Sequence, residues 1–171
     1  MELVENNEIS KISVSELASK ALVNRSTFYL HYTDVQSVAA DIENEISERI
    51  SSSIEDFAID DIYGSIHSLF VKLTNRLEEN QCMKRYIIFS TNSDYILSKL
   101  KDIFVEKTKK SILALLNISE KDMEYPLTYA AAGIIDCYAK WVRDDSSTPI
   151  ENVIREVSRI TEHIISTITH K

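Results

Sequence analysis

Two short helical patterns, separated only by Leu22 and Val23, constrain this chain more than any other feature in it. They lie in Ile12–Tyr32, which reads ISVSELASKALVNRSTFYLHY. In the first, Val14, Leu17, Ala18 and Ala21 recur at i, i+3, i+4 and i+7, one face of an α-helix. Ser13 precedes them with Glu16 three residues on, the capping-box arrangement that fixes a helix start. The second opens at Asn24, a good N-cap, and runs through Arg25, Ser26, Thr27, Phe28, Tyr29 and Leu30. Helices joined by so short a step cross steeply, which is helix-turn-helix geometry. Phe28 is then expected in the core, pinning the second helix to its partner. Arg25, Ser26, Thr27 and Tyr29 are left on the exposed face, each able to donate hydrogen bonds to phosphates or base edges. Ser13 and Ser15, at the start of the first helix, can offer a hydroxyl and the helix N-terminus to a phosphate.

The run S-V-x-x-L-A-x-x-A-x-V-x-x-S-T-F-Y-x-H-Y resembles the N-terminal motif of the TetR/AcrR family of bacterial transcriptional regulators, most distinctively in its F-Y-x-H-Y end. The resemblance implies an all-helical homodimer with an N-terminal DNA-binding domain and a larger domain that senses a ligand and dimerises. It also implies that Tyr29, His31 and Tyr32 form the phosphate-contacting end of the recognition helix. The nucleic-acid candidates are thus Ser13, Ser15, Asn24, Arg25, Ser26, Thr27, Tyr29, His31 and Tyr32. Three positions depart from the family pattern. The turn glycine is Leu22, the lysine opening the connecting helix is Val35, and Met1–Asn6 supplies only the tail of the family's first helix. Those departures motivate an alternative, a helical dimeric adaptor or sensor of the same fold that has lost DNA binding.

Two glycines and two prolines in 171 residues exclude an architecture of strands and tight turns, so the fold class expected is all-α. The net charge of −8 excludes a protein that merely coats nucleic acid, since sequence-independent affinity comes from Lys and Arg on phosphates. It suits a small DNA-reading module on an acidic body. Between Ser10 and Asp34 the basic residues are Lys11, Lys20 and Arg25. Cys82 and Cys137 stand far apart with no ligand-spaced partners, which signals neither a disulfide framework nor a metal site. No cofactor motif, nucleophile motif or H-E-x-x-H pattern occurs, so no enzymatic activity is expected. No apolar run is long enough for a membrane span and no signal-peptide pattern opens the chain, so a cytoplasmic protein is expected.

The remainder reads as amphipathic helices. Asp34 or Thr33 caps a connecting helix carrying Val35, Val38, Ala39, Ile42, Ile46, Ile50, Ile54 and Phe57. Asp60-Asp61 starts the next helix, a short piece spans Cys82 to Phe89, and a polar break at Thr91–Asp94 precedes a helix running to Leu116. Asn117–Glu124 reads as a linker, with Pro126 in the first turn of a helix that is apolar nearly all round to Arg143. Thr148 and Pro149 open the last helix. The expected division is residues 1–50, a DNA-binding domain with the start of the connecting helix, and 51–171, the ligand-binding and dimerisation domain. A pocket for an unknown small-molecule effector would be lined by Tyr63, His67, Phe70, Phe89, Tyr95, Tyr129 and Tyr138. The final two helices hold more apolar surface than one neighbour covers. Ala131, Ile134, Ile135, Tyr138, Trp141, Val153, Val157, Ile160 and Ile164 are therefore expected at a two-fold dimer interface. Such a dimer would set two recognition helices on the half-sites of a palindromic double-stranded operator.

Overall fold

The computed structural model describes residues 9–54, 61–90, 93–144 and 147–169, with the side chains at 53, 62, 82, 89, 168 and 169 excepted. Expectations placed on Met1–Asn6, Phe57, Asp60, Thr91, Asn92 and the side chains of Cys82 and Phe89 lie outside the described residues. A 3-10 turn at Ile9–Lys11 leads into eight α-helices among the described residues. These are α1 (Val14–Lys20), α2 (Arg25–His31), α3 (Val35–Ser53), α4 (Ile62–Glu79), α5 (Gln81–Phe89), α6 (Ser93–Leu116), α7 (Glu120–Arg143) and α8 (Ile150–Thr169). The described residues hold no β-strand.

The helix starts follow from side chains that satisfy otherwise orphaned N–H groups. Asp34 caps α3 in a reciprocal box with Ser37, Ser37 N donating to Asp34 Oδ1 at 2.7 Å. Asp61 caps α4, and Asn80 ends α4 while accepting from Met83 N at the head of α5. Ser119 caps α7, with Glu120 and Asp122 in its first turn where the helix dipole favours acids. This corrects the sequence reading, because the linker is only 117–119 and Pro126 sits inside α7 rather than in its first turn. Asn117 ends α6 in the left-handed region, φ 51°, and lets the chain reverse within three residues.

One large core joins the six helices α3–α8. Ile46, Ile50 and Ile54 enter from α3, Leu69, Phe70 and Leu73 from α4, Tyr86 from α5, Leu100 and Phe104 from α6, Ile135 and Tyr138 from α7 and Ile154 from α8. A second, small core holds Ile9, Ile12 and Val35, with Val14, Leu17 and Ala39 against it. The helix α3 therefore begins in one core and ends in the other. Its middle is bonded to the larger body, since Tyr86 Oη donates to Glu43 and Lys99 Nζ donates to Asn44 Oδ1 at 3.2 Å. The far end of α7 is tied by Arg143, which donates to Ser93 Oγ at 2.7 Å and to Ile87 O at 3.3 Å.

Candidate nucleic-acid interface

Ser13 Oγ accepts from Glu16 N at 3.2 Å and starts α1 as its spacing requires. The helix ends in a Schellman arrangement, with Val23 N donating to Ala18 O at 3.0 Å and Leu22 N to Ser19 O at 3.2 Å. That bond pair needs a left-handed residue between Ala21 and Val23, and Leu22 adopts it with φ 56°. The turn thus keeps the backbone a glycine would supply, using a leucine whose side chain is 94% exposed. Ala21, expected on the packed face, is an exposed C-cap. Ala18 fills that face, and Val14 and Leu17 are half-buried.

Asn24 caps α2, its Oδ1 accepting from Thr27 N at 2.7 Å, Ser26 Oγ at 2.7 Å and Thr27 Oγ1 at 2.9 Å. Both hydroxyls expected to donate outward are therefore donating to Asn24, and face solvent as acceptors. The Arg25 guanidinium donates to Ser15 Oγ, which brings the first turns of α1 and α2 together. Phe28 is the buried residue of α2, with Tyr29 edge-on to it at 5.5 Å and Tyr32 at 5.9 Å between ring centroids. Tyr29 and His31 are exposed. Tyr32 is half-buried, and its hydroxyl donates to Asp41 Oδ2 at 2.9 Å. That bond, then burial and the Asp41 charge, raise the Tyr32 pKa above its ordinary value. The nine nucleic-acid candidates therefore fall on one continuous two-helix unit, with Tyr32 turned to bracing α3. Leu30, 80% exposed on α2, belongs to the same surface and was absent from the sequence-derived set, although its position relative to Phe28 is readable from helical spacing.

Val35 is buried beside Ile9 and Ile12. The position that carries a phosphate-binding lysine in the family motif is here part of the small core, where a charge would be costly.

Of the seven residues expected to line an effector pocket, the six with described side chains do not converge. Phe70 and Tyr138 pack in the core at 4.9 Å, and Tyr138 Oη shares a 3.0 Å hydrogen bond with Thr74 Oγ1. Tyr63 stacks on exposed His67, Tyr95 lies under Lys99 at 4.7 Å, and Tyr129 is exposed on α7. Phe89 lies outside the described side chains. Aromatic residues at helical spacing on faces taken as buried were in fact divided between core and surface. Among the described residues, a void between α3 and α7, bounded by Ile50, Leu73, Met83, Leu100 and Tyr138, is about 10 Å³, room for a water and no more.

The dimer set also divides. Ala131, Ile134, Ile135 and Tyr138 of α7 and Val157 of α8 are buried within the single chain, because both helices turn those faces to the large core. Trp141 is half-buried and donates from Nε1 to Thr148 O at 2.8 Å. Val153 and Ile164 are half-buried, and Ile160 is 50% exposed. Between α7 and α8 runs an open, mainly apolar groove of about 300 Å³, lined by Ala132, Gly133, Cys137, Ile160 and Ile164 among others. A Cβ added at Gly133 would meet nothing within 4 Å, so the fold of one chain does not require that glycine. Among the described residues no cluster of His, Cys, Asp and Glu could hold a metal, and no helix is long and apolar enough to cross a membrane.

Among solved structures, that of the TetR family repressor AlkX from Dietzia sp. strain DQ12-45-1b, implicated in biodegradation of n-alkanes, is similar over 99% of this chain and 93% of that one. The identity is 20% and the TM-score 0.43. No curated protein matches the chain. Residues 64–163, more than half of the sequence, match the TetR model described as the transcriptional regulator C-terminal region. The chain belongs to the TetR family of transcriptional regulators.

Proposed function

We propose that the protein is a one-component, ligand-responsive repressor that binds a palindromic DNA operator as a homodimer. The observation that carries this reading is α2. It is fixed at its start by Asn24, anchored by one buried side chain, Phe28, and exposes Arg25, Ser26, Thr27, Tyr29, Leu30 and His31. A helix that short contributes little packing of its own, so most of its surface is left to face a partner. The exposed guanidinium, imidazole and phenol suit phosphates and base edges, and the two hydroxyls, as acceptors, suit the amino groups of base edges. Two copies joined along the α7–α8 groove would present two such helices to successive half-sites.

An effector enters this scheme through the large core. Among the described residues the void between α3 and α7 is only about 10 Å³, so an effector entering there would stabilise a form in which those helices separate. The Glu43–Tyr86 and Asn44–Lys99 bonds would carry that movement into α3, and α3 would carry it to the small core behind α2. The test is an anisotropy titration of the full-length protein against duplexes tiling the DNA upstream of its own gene, repeated at several salt concentrations. Sequence-preferring binding that weakens steeply with salt is expected. Its absence would refute the repressor and favour the adaptor that keeps the fold without DNA binding, consistent with Val35 in place of a lysine.

A further inference from the structure

We infer that Leu30 is a specificity residue of α2, reading the 5-methyl group of a thymine in the major groove; the inference rests on the DNA-binding reading above. At about 100° per residue, the positions turned furthest from Phe28 are Ser26 and Leu30, each about 160° away. Arg25 and Tyr29 lie to one side of that line, Thr27 and His31 to the other. A helix set in the groove with Phe28 toward its own domain therefore aims Ser26 and Leu30 at the base edges. The flanking side chains then meet the two sugar-phosphate walls.

The chemistry along the central line is narrow. The Ser26 hydroxyl spends its proton on Asn24 Oδ1 at 2.7 Å, and Arg25 is engaged with Ser15. What remains at the centre is an acceptor oxygen and an isobutyl group that is 80% exposed. Exposure of that degree gives Leu30 almost no part in packing the domain. The one apolar group that base pairs present in the major groove is the thymine methyl. Removing both apolar surfaces from water is the gain available to this pairing, and no polar base edge offers Leu30 an equivalent.

Replacing each operator thymine in turn by deoxyuridine removes a methyl and nothing else. With synthetic duplexes carrying the tightest-bound upstream sequence, one symmetry-related pair of replacements should weaken binding about three- to fivefold per methyl. Leu30→Ala should bind the thymine duplex more weakly and be indifferent to that same replacement. It should also melt with the unaltered protein, because its side chain is exposed, so loss of folding does not confuse the comparison. Equal binding of thymine and deoxyuridine duplexes at every position overturns the inference. So does a Leu30→Ala protein that retains the full discrimination. If no duplex is preferred at all, the DNA-binding reading fails and this one fails with it.

Discussion

Leu22→Gly should stabilise the N-terminal unit, although it removes a large side chain. Leu22 holds φ 56° because the Schellman bonds Val23 N to Ala18 O and Leu22 N to Ser19 O require a left-handed residue there. For an L-residue with a Cβ that conformation costs roughly 1–2 kcal/mol. Glycine removes this cost but adds about 0.5–1 kcal/mol of backbone entropy to the unfolded chain. With the leucine side chain 94% exposed, almost no burial is lost. The net is a gain on the order of 0.5–1 kcal/mol, or about two- to fivefold slower hydrogen exchange at the amides of Ala21 and Val23. Leu22→Ala is the control. It keeps the Cβ and the strain and removes only the isopropyl end of the side chain, so it should lie within about 0.5 kcal/mol of the unaltered protein. If glycine exchanges no more slowly than alanine, the turn is not strained. If alanine costs more than about 1 kcal/mol, the leucine packs on something and the reasoning fails at its first step.

Alkaline melting in urea tests the buried phenols. Burial first, and for Tyr86 also the bond to Glu43, raise the Tyr86 and Tyr138 pKa values above the ordinary 10.0. The stability they contribute is fully present below pH 10 and is lost as pH rises beyond it, so Tyr86→Phe and Tyr138→Phe should each flatten the decline above pH 10; unchanged slopes would refute this. Ile160→Glu, placed on the open α7–α8 groove, should convert the proposed dimer to monomer by sedimentation velocity without lowering helicity, and a sedimentation coefficient equal to that of the unaltered protein would refute an interface at this groove. Ser158 Oγ is buried without a partner among the described residues. Ser158→Ala should therefore raise stability by about 1 kcal/mol, whereas a loss of that size would mean the hydroxyl binds a buried water.

What the sequence disclosed follows from which interactions are local. Ser13, Asn24 and Asp34 were readable as caps because a cap acts on an N–H three residues away. The stripe Ile42, Ile46, Ile50 and Ile54 is readable because that face of α3 is turned to the large core. The α7 helix was less legible. A helix apolar on most sides does not declare which side its own chain covers, and Ala131, Ile134 and Ile135 went to the monomer core. Nothing local in the sequence sets Glu43 apart from a solvated carboxylate, since its partner, Tyr86, lies 43 residues away. The aromatic residues misled for a related reason. Tyr63, Tyr95 and Tyr129 can cover a helix surface with the ring and still wet the hydroxyl, so their presence does not locate a cavity.

The substitution at Val35 bears on how binding and sensing are joined. A lysine there would place a charge at the head of α3, on the DNA side. Valine instead closes the small core against Ile9 and Ile12, making α3 the common wall of both cores. The cost is one phosphate contact, worth roughly one unit of salt dependence. The return is stiffness: with Asp34 and Ser37 fixing its first turn and Tyr32 braced on Asp41, α3 cannot shift without shifting what leans on it. The next turns are gripped by Tyr86 and Lys99. In the proposed mechanism a displacement of α5 or α6 would be passed to α2 through these bonds and α3. An affinity lowered by the missing lysine would make DNA release easier for a given shift, since less binding free energy has to be overcome.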